Sequence, residues 1–238
     1  MLARMGVRLD PSDEYMHELG PESNFNESMY INCFDPLSAV GGWFRTGNRA
    51  NEGYAEMTVC LYLPGGRVGF MFKRPNIDNN DRLDAAGLTW TMVKPFEELR
   101  VDYVGKVVVL NDPKQMVEPR EAFKNNPYAE AEVHLTFTGQ GRPSMFGGEP
   151  DTPHEAPGEE FAKGHYEQLV QAHGTIRVGD RECRQRAVSV VAASEPSSGL
   201  VLCHSLFLGW LGLSATLDGP RPMRLHSHAA PAVDNADF

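Results

Sequence analysis

The feature that most constrains this chain is the strict alternation of apolar and polar residues in short runs that end at turn signals. In AEAEVHLTFTG, residues 129–139, Val133, Leu135 and Phe137 share one parity and polar residues occupy the other. A period of two is typical of a β-strand with one buried face. Comparable runs separated by Gly, Pro and Asn or Asp lie at residues 29–35, 53–63, 67–75, 88–95 and 98–112.

These runs predict an antiparallel, mainly β protein, because helical periodicity is almost absent. QMVEPREAF, near residue 120, predicts one short helical turn interrupted by Pro119. Residues 98–112 predict either one long strand or two strands with a bend at Gly105. Residues 140–160 are rich in Gly, Pro and acids and predict a long loop or a linker.

Charge and cysteine content narrow the functional classes. The 238 residues carry a net charge of −10, which opposes binding to nucleic acid and docking on anionic lipid. Four cysteines without a CxxC pair predict reduced thiols in a cytoplasmic protein rather than a zinc site or a disulfide framework. No phosphate-binding loop, dinucleotide fingerprint or nucleophile elbow occurs. No cofactor is predicted, and the oligomeric state stays open.

The composition changes after Glu182, where Lys and Tyr disappear and the alternation is lost. Residues 199–217 are apolar over about the length of a membrane span. Three interpretations remain open for them: a membrane anchor or peripheral membrane contact, a buried pair of strands bent at a glycine, or a tail that does not pack.

Four segments in the N-terminal two-thirds resemble bacterial lipocalin-like proteins related to carotenoid 1,2-hydratases (hydroxyneurosporene synthases). They are, in the order that this family shows, FNESMYINCFDP (25–36), GGWFRTGNRANEG (41–53), YAEAEVHLTFTG (128–139) and GHYEQLVQAHGTIRVGD (164–180). The resemblance implies two lipocalin-like β-halves. Residues 1–150 would form the first antiparallel barrel and residues 160–238 a partial second β-domain.

The end of the chain departs from the resemblance. The family continues with a motif similar to Arg-Asp-His-Ser-Trp-Gly, which is absent here. We hypothesise a truncated or frame-shifted portion beginning near Cys183. Translation of the parent gene in its two other frames tests this, because a frame shift requires family-like sequence in one of them.

The resemblance also implies an apolar ligand inside the barrel and acid catalysis by a carboxyl group. Glu27, with Asn26 beside it, is the candidate acid, since burial in an apolar interior raises a carboxyl pKa. The alternative is that both side chains tie the strand start to a neighbouring loop. His165 and Glu167 lie two apart on one strand face and form a second candidate acid–base pair, without the third ligand that a metal site needs.

The remaining candidates are ligand-binding residues, and Asn26 is one of them. Arg45 and Glu52 flank a turn, where they either orient a ligand or form an internal ion pair that fixes the barrel rim. Trp43, Tyr54 and Trp90 fit the wall of an apolar pocket, and they fit an ordinary core equally well.

The sequence therefore predicts binding of an isoprenoid-like or steroid-like molecule, with hydration of a C=C bond as the candidate reaction. The alternative is a non-catalytic carrier or scaffold of the same fold. A third class, an interaction module that pairs through exposed strand edges, gains weight if the second half is incomplete.

Overall fold

The structure is a computed structural model that describes residues 9–139, 145–147 and 165–194. In these residues ten strands are joined by short turns, three single-turn 3-10 helices and one α-helix. The strands are β1 (Glu27–Asp35), β2 (Val40–Arg49), β3 (Tyr54–Leu63), β4 (Arg67–Lys73), β5 (Leu88–Lys94), β6 (Glu98–Leu110), β7 (Tyr128–Gly139), β8 (Met145–Gly147), β9 (His165–Val178) and β10 (Arg181–Ser194). The helices are the 3-10 turns Pro11–Glu14, Ala50–Glu52 and Pro113–Val117, and α1 (Pro119–Asn125).

Eight strands follow one another around a ring in the order β1, β2, β3, β4, β6, β7, β9, β10, and β10 pairs back onto β1. All of the pairings are antiparallel. The narrowest seam joins β4 to β6 through three residue pairs, and β5 covers the first part of β6 beside it. The predicted fold class, a mainly β lipocalin-like antiparallel barrel, is confirmed.

Most of the predicted strands are present, and residues 98–110 form one strand that passes through Gly105. The short helix predicted near Pro119 is α1. The sequence did not predict β10, because its alternation fades after Glu182. β10 nevertheless pairs with β9 along fourteen residues and with β1 along seven. Backbone hydrogen bonds to β9 and β1 define this strand, although its side-chain pattern does not predict it.

The predicted domain boundary near residues 150–160 does not separate the later strands from the earlier ones. β9 and β10 pair with β7 and β1 and belong to the same sheet. The apolar run at residues 199–217 lies outside the described residues, so the structure tests none of its three interpretations.

The barrel interior is a packed core rather than a continuous channel. In the long strands whose side chains are described, interior positions alternate with outward ones, and Ile31, Phe44 and Val133 are fully buried. A small second cluster packs α1 against the outer face of β6. The packed middle separates the two ends of the barrel.

The two ends differ in how they are covered. We call the end where β1 begins the capped end, because residues 9–26 and the loop at residues 74–87 lie there. The opposite end carries the short turns at residues 36–39, 64–66 and 179–180, and we call it the hairpin end.

Candidate functional site

A cavity of about 440 Å³ lies at the capped end, between the covering segments and the barrel interior. Its apolar lining comes from strand residues that face inward. They include Met29, Trp90, Met92 and Leu99. Charged and polar residues make up about half of the lining, among them Asp13, Glu14, His17, Glu27, Asp81 and Arg82.

Glu27 lines this cavity and is almost completely buried. The backbone N–H of His17 donates to Oε1 of Glu27 over 3.0 Å, and Nδ1 of His17 lies 2.6 Å from the same oxygen. Nδ2 of Asn80 donates to Oε2 over 2.7 Å. Hydrogen bonds to a buried carboxylate are strong, so Glu27 joins both covering segments to the start of β1.

The network continues across the barrel end to β2. Nδ2 of Asn48 donates to Oδ1 of Asn80 over 3.1 Å and to the carbonyl of Arg82 over 2.9 Å. Both asparagines are buried. Buried polar groups need partners, so this chain of amides gives the loop at residues 74–87 one defined position over the cavity.

Glu14 is a second carboxyl in the cavity lining, and the sequence reasoning missed it. It ends the 3-10 helix Pro11–Glu14, which Asp10 and Asp13 hold in a reciprocal capping box. Its Oε2 accepts a hydrogen bond from the backbone N–H of Phe96 over 3.3 Å. Burial raises the pKa of Glu14 from 4.5 to about 7, with the Phe96 N–H opposing this and the negative charge of Asp13 adding to it.

Phe96 holds several cavity groups from the turn between β5 and β6. Its φ of 62° lies in the left-handed region, which non-glycine residues rarely adopt. In this conformation its N–H reaches Glu14, and its carbonyl accepts from Nε2 of Gln168 over 2.7 Å. Its ring packs edge-on against Tyr166, with 6.0 Å between centroids. One strained residue thus positions Glu14 and Tyr166 on the same wall.

Tyr166 faces the interior from β9 and is 3% exposed. Its buried hydroxyl has no hydrogen-bond partner among the described residues. Trp90 differs, because its Nε1 donates to Oγ1 of Thr46 over 2.9 Å. Tyr166 therefore offers a polar atom in the cavity lining that the protein itself does not use.

The prediction that Trp43 and Tyr54 line an interior pocket is wrong in its geometry. Phe44 and Thr46 are the inward residues of β2, so alternation turns Trp43 to the outer face, where its ring meets Tyr30. Tyr54 lies on the outer face of β3, beneath the guanidinium of Arg74. Trp90 is the predicted aromatic that does line the cavity.

Arg45 also points outward, and the predicted pairing with Glu52 is replaced by two others. Nη1 of Arg45 lies 3.3 Å from Oε2 of Glu56 on β3, its diagonal neighbour on the outer face of the sheet. Glu52 pairs instead with Arg49 within the turn. Asn26 is buried beside β2 but does not line the cavity.

Glu167 lies on the outer face of β9, away from the cavity, and accepts from the hydroxyl of Tyr30 over 3.3 Å. His165 begins β9, and its side chain lies outside the described part. The inward residues at this end of β9 are Tyr166 and Gln168. The structure therefore brings Glu27 and Trp90 together at the cavity and leaves Glu167 outside it.

Two cysteines and one histidine have no part in this cavity. Burial raises the pKa of the Cys33 and Cys60 thiols to about 12, so both stay neutral and poorly nucleophilic. His134 lies on the exposed side of β7 as predicted, between Asp102 and Glu132. Asp35 caps the turn after β1, where its Oδ1 accepts from the Leu37 N–H over 3.0 Å.

The signals for the missed residues were weak. The stretch DPSDE at residues 10–14 is a helix-start pattern, which places Glu14 at the end of a turn but does not say which way it points. Tyr166 lies between the candidate residues His165 and Glu167, and successive residues of a strand face opposite sides. Only the interior parity of β9, set by pairing to β7, identifies Tyr166 as a cavity residue.

The described residues contain neither a metal-ligand cluster nor a membrane-spanning helix. Residues 9–139, 145–147 and 165–194 contain no group of three or more His, Cys, Asp or Glu placed to hold a metal ion. Within these same ranges no helix has the length and apolar character needed to span a membrane.

The fold and cavity define a lipocalin-like barrel with a small-molecule-sized site at one end. Residues 10–190 match the family described as Domain of unknown function (DUF7064), and the chain belongs to that family. No curated protein and no solved structure matches the chain significantly. The site must therefore be interpreted from its own residues.

Proposed function

We propose that the protein binds an apolar small molecule of isoprenoid-like or steroid-like character in the capped-end cavity. One observation carries the proposal: a space of about 440 Å³ is lined by inward apolar side chains and by buried polar groups held in fixed positions. Binding sites for drug-sized ligands occupy roughly 300–1,000 Å³. The resemblance to carotenoid hydratases supports the same ligand class.

Calorimetric titration with farnesene, an isoprenoid hydrocarbon, tests this. Met92→Trp places an indole into the cavity from β5, and we expect it to weaken binding roughly tenfold or more by filling the space. Val93→Trp is the matched control, since Val93 is its neighbour on the exposed face of the same strand. The proposal fails if farnesene does not bind, or if both variants weaken binding equally.

Mass spectrometry of molecules extracted from the purified protein is the complementary measurement. A bound isoprenoid or steroid recovered from the wild type, and lost from Met92→Trp, would identify the natural ligand. An extract without apolar molecules, together with no farnesene binding, would contradict the proposal.

Acid-catalysed hydration of a C=C bond is the second candidate function, and Glu14 is the observation that favours it. A carboxyl with a pKa of about 7 beside an apolar cavity is protonated in about half of the molecules at neutral pH, so it can act as a general acid. Glu27 stays a candidate from the sequence, but it accepts hydrogen bonds from two loop residues and has a clear structural task.

The reaction would proceed in two balanced steps. The Glu14 carboxyl gives its proton to one alkene carbon, so a C–H bond forms, the π bond breaks and the other carbon becomes a tertiary cation. A water oxygen then bonds to that cation and releases a proton, which returns to the Glu14 carboxylate. Apolar walls around the cation exclude other nucleophiles.

Incubation of the protein with farnesene in isotopically labelled water distinguishes a hydratase from a non-catalytic carrier. A hydratase forms a labelled alcohol, and Glu14→Gln removes turnover while farnesene still binds. A Glu27→Gln variant that keeps turnover would remove Glu27 from the mechanism. Binding without any labelled product would leave the non-catalytic carrier as the function.

A further inference from the structure

The hydroxyl of Tyr166 is a polar group of the cavity lining that has no hydrogen-bond partner among the described residues. A buried donor without a partner costs about 1–3 kcal/mol, so native proteins seldom retain one. Tyr166 is 3% exposed and the described residues supply no acceptor for it. A phenylalanine would pack the same ring without this cost.

Tyr166 differs in position from three other buried polar atoms that have no partner among the described residues. They are Oδ1 of Asn26, Nε1 of Trp43 and Oδ1 of Asn48, and none of these residues lines the cavity. Tyr166 does line it, and its ring is held in place against Phe96. The unused donor therefore belongs to the site.

The wall that carries Tyr166 also carries the Glu14 carboxyl, because both residues contact Phe96. The Phe96 N–H occupies one oxygen of Glu14. A phenol donates a hydrogen bond, and a carboxyl group donates one when it is protonated. Met29 and Leu99 supply apolar contacts to the same cavity.

We propose that the ligand of this cavity carries an acceptor oxygen that binds the Tyr166 hydroxyl, so it is an aldehyde, ketone or alcohol on an apolar skeleton. The inference rests on the proposed binding function and names its ligand class. A site built to bond an oxygen discriminates against the analogue that lacks it, since that analogue leaves the donor unpaired. The bonded oxygen also fixes which part of the skeleton lies beside Glu14.

Calorimetric titration with farnesal and farnesene, an aldehyde and a hydrocarbon of similar skeleton, tests the inference. We expect farnesal to bind roughly three- to tenfold more tightly, the value of one net hydrogen bond. Tyr166→Phe should bind farnesene as the wild type does and lose the preference for farnesal. Farnesol, which also offers an acceptor oxygen, should follow farnesal.

Tyr103→Phe is the matched control, since Tyr103 is equally buried but donates to the Lys106 carbonyl over 2.8 Å and lies outside the cavity lining. It should keep the preference for farnesal. Tyr166→Phe without ligand should unfold at an unchanged or higher temperature, whereas Tyr103→Phe should unfold at a lower one.

The outcomes separate the two proposals. If neither compound binds, both the proposed function and this inference fail. Equal binding of farnesal and farnesene to the wild type overturns the inference alone. A preference that survives in Tyr166→Phe, or a clear loss of stability in that variant, also overturns it, because the hydroxyl would then have another partner.

Discussion

The two ends of the barrel both enclose space, and they differ in what the space contains. The cavity at the hairpin end measures about 600 Å³, larger than the 440 Å³ of the capped end. Its lining includes Leu63, Ile176 and Val178, with charged residues such as Arg67 beside them. No residue in that lining is a buried carboxyl, and no network of buried amides crosses it among the described residues.

The larger cavity volume at the hairpin end does not by itself make that end a binding site. At the capped end the chain buries Glu27, Asn48 and Asn80, and the cavity is lined by the Tyr166 phenol and by the Glu14 carboxyl, whose pKa is raised. Such groups cost free energy to bury, so their concentration at one end favours that end as the proposed binding site. The hairpin end has the geometry of a short-turned barrel rim without these groups.

The largest expected difference between the ends concerns stability. Glu27→Ala leaves His17 and Asn80 without their shared acceptor, and we expect the free energy of unfolding to fall by about 3–5 kcal/mol. Arg67→Ala at the hairpin end should change it by about 0.5 kcal/mol or less. Urea denaturation followed by circular dichroism measures both. Equal losses of unfolding free energy in the two variants would mean that the hydrogen bonds of Glu27 do not stabilise the capped end more than Arg67 stabilises the hairpin end.

The second difference is a dependence of stability on pH. Glu14 has its pKa raised in the fold, so the folded state holds the proton that the unfolded state releases, and stability falls as pH rises from 4.5 to about 7. The rise in pKa corresponds to about 3 kcal/mol at most. Glu14→Gln should lack this decline, so its advantage over the wild type grows across that window and is complete above it.

Glu97→Gln is the control for the pH experiment, because Glu97 follows Phe96, the residue that contacts Glu14, but is exposed and pairs with Lys94. Urea denaturation curves at several pH values measure the free energy of unfolding of the wild type, Glu14→Gln and Glu97→Gln. A wild-type curve parallel to that of Glu14→Gln would show that the Glu14 carboxyl titrates normally in the fold.

The third difference concerns binding. Val178→Trp fills part of the hairpin-end cavity as Met92→Trp fills the capped one. We expect Val178→Trp to leave farnesene binding within about twofold of the wild type, against the roughly tenfold loss for Met92→Trp. Calorimetry compares them. A larger loss for Val178→Trp would place the ligand at the hairpin end instead.

The smallest expected effect is the same at both ends. Ala39 in the β1–β2 turn and Ala86 before β5 have φ values of 53° and 48°. Replacement by Gly relieves left-handed strain but adds unfolded-state entropy, so each should stabilise the fold by about 0.5 kcal/mol. Thermal denaturation measures this change. Destabilisation at one position only would show that its methyl group packs.

Alternation in single strands was enough to predict much of the fold. Val133, Leu135 and Phe137 are buried inside as their spacing indicated, and His134 is outside. The same rule failed for Trp43, because β2 contains glycines and polar residues on both parities and gives no clear inner face. β10 was missed for a similar reason: pairing on both edges, rather than periodicity, defines it.

The sequence by itself determined the class of fold, because hydrophobic alternation runs along most of the strands. It also marked Glu27, through the family resemblance, and Trp90 as a candidate for the pocket wall. Only the tertiary structure decided which residues meet in the cavity. Glu14, His17 and Tyr166 lie up to 152 positions apart in the sequence numbering, and they meet because β9 closes the ring and residues 9–26 fold over its end. Closure of a barrel depends on pairings between distant strands, and no local pattern encodes which polar side chains those pairings bury together.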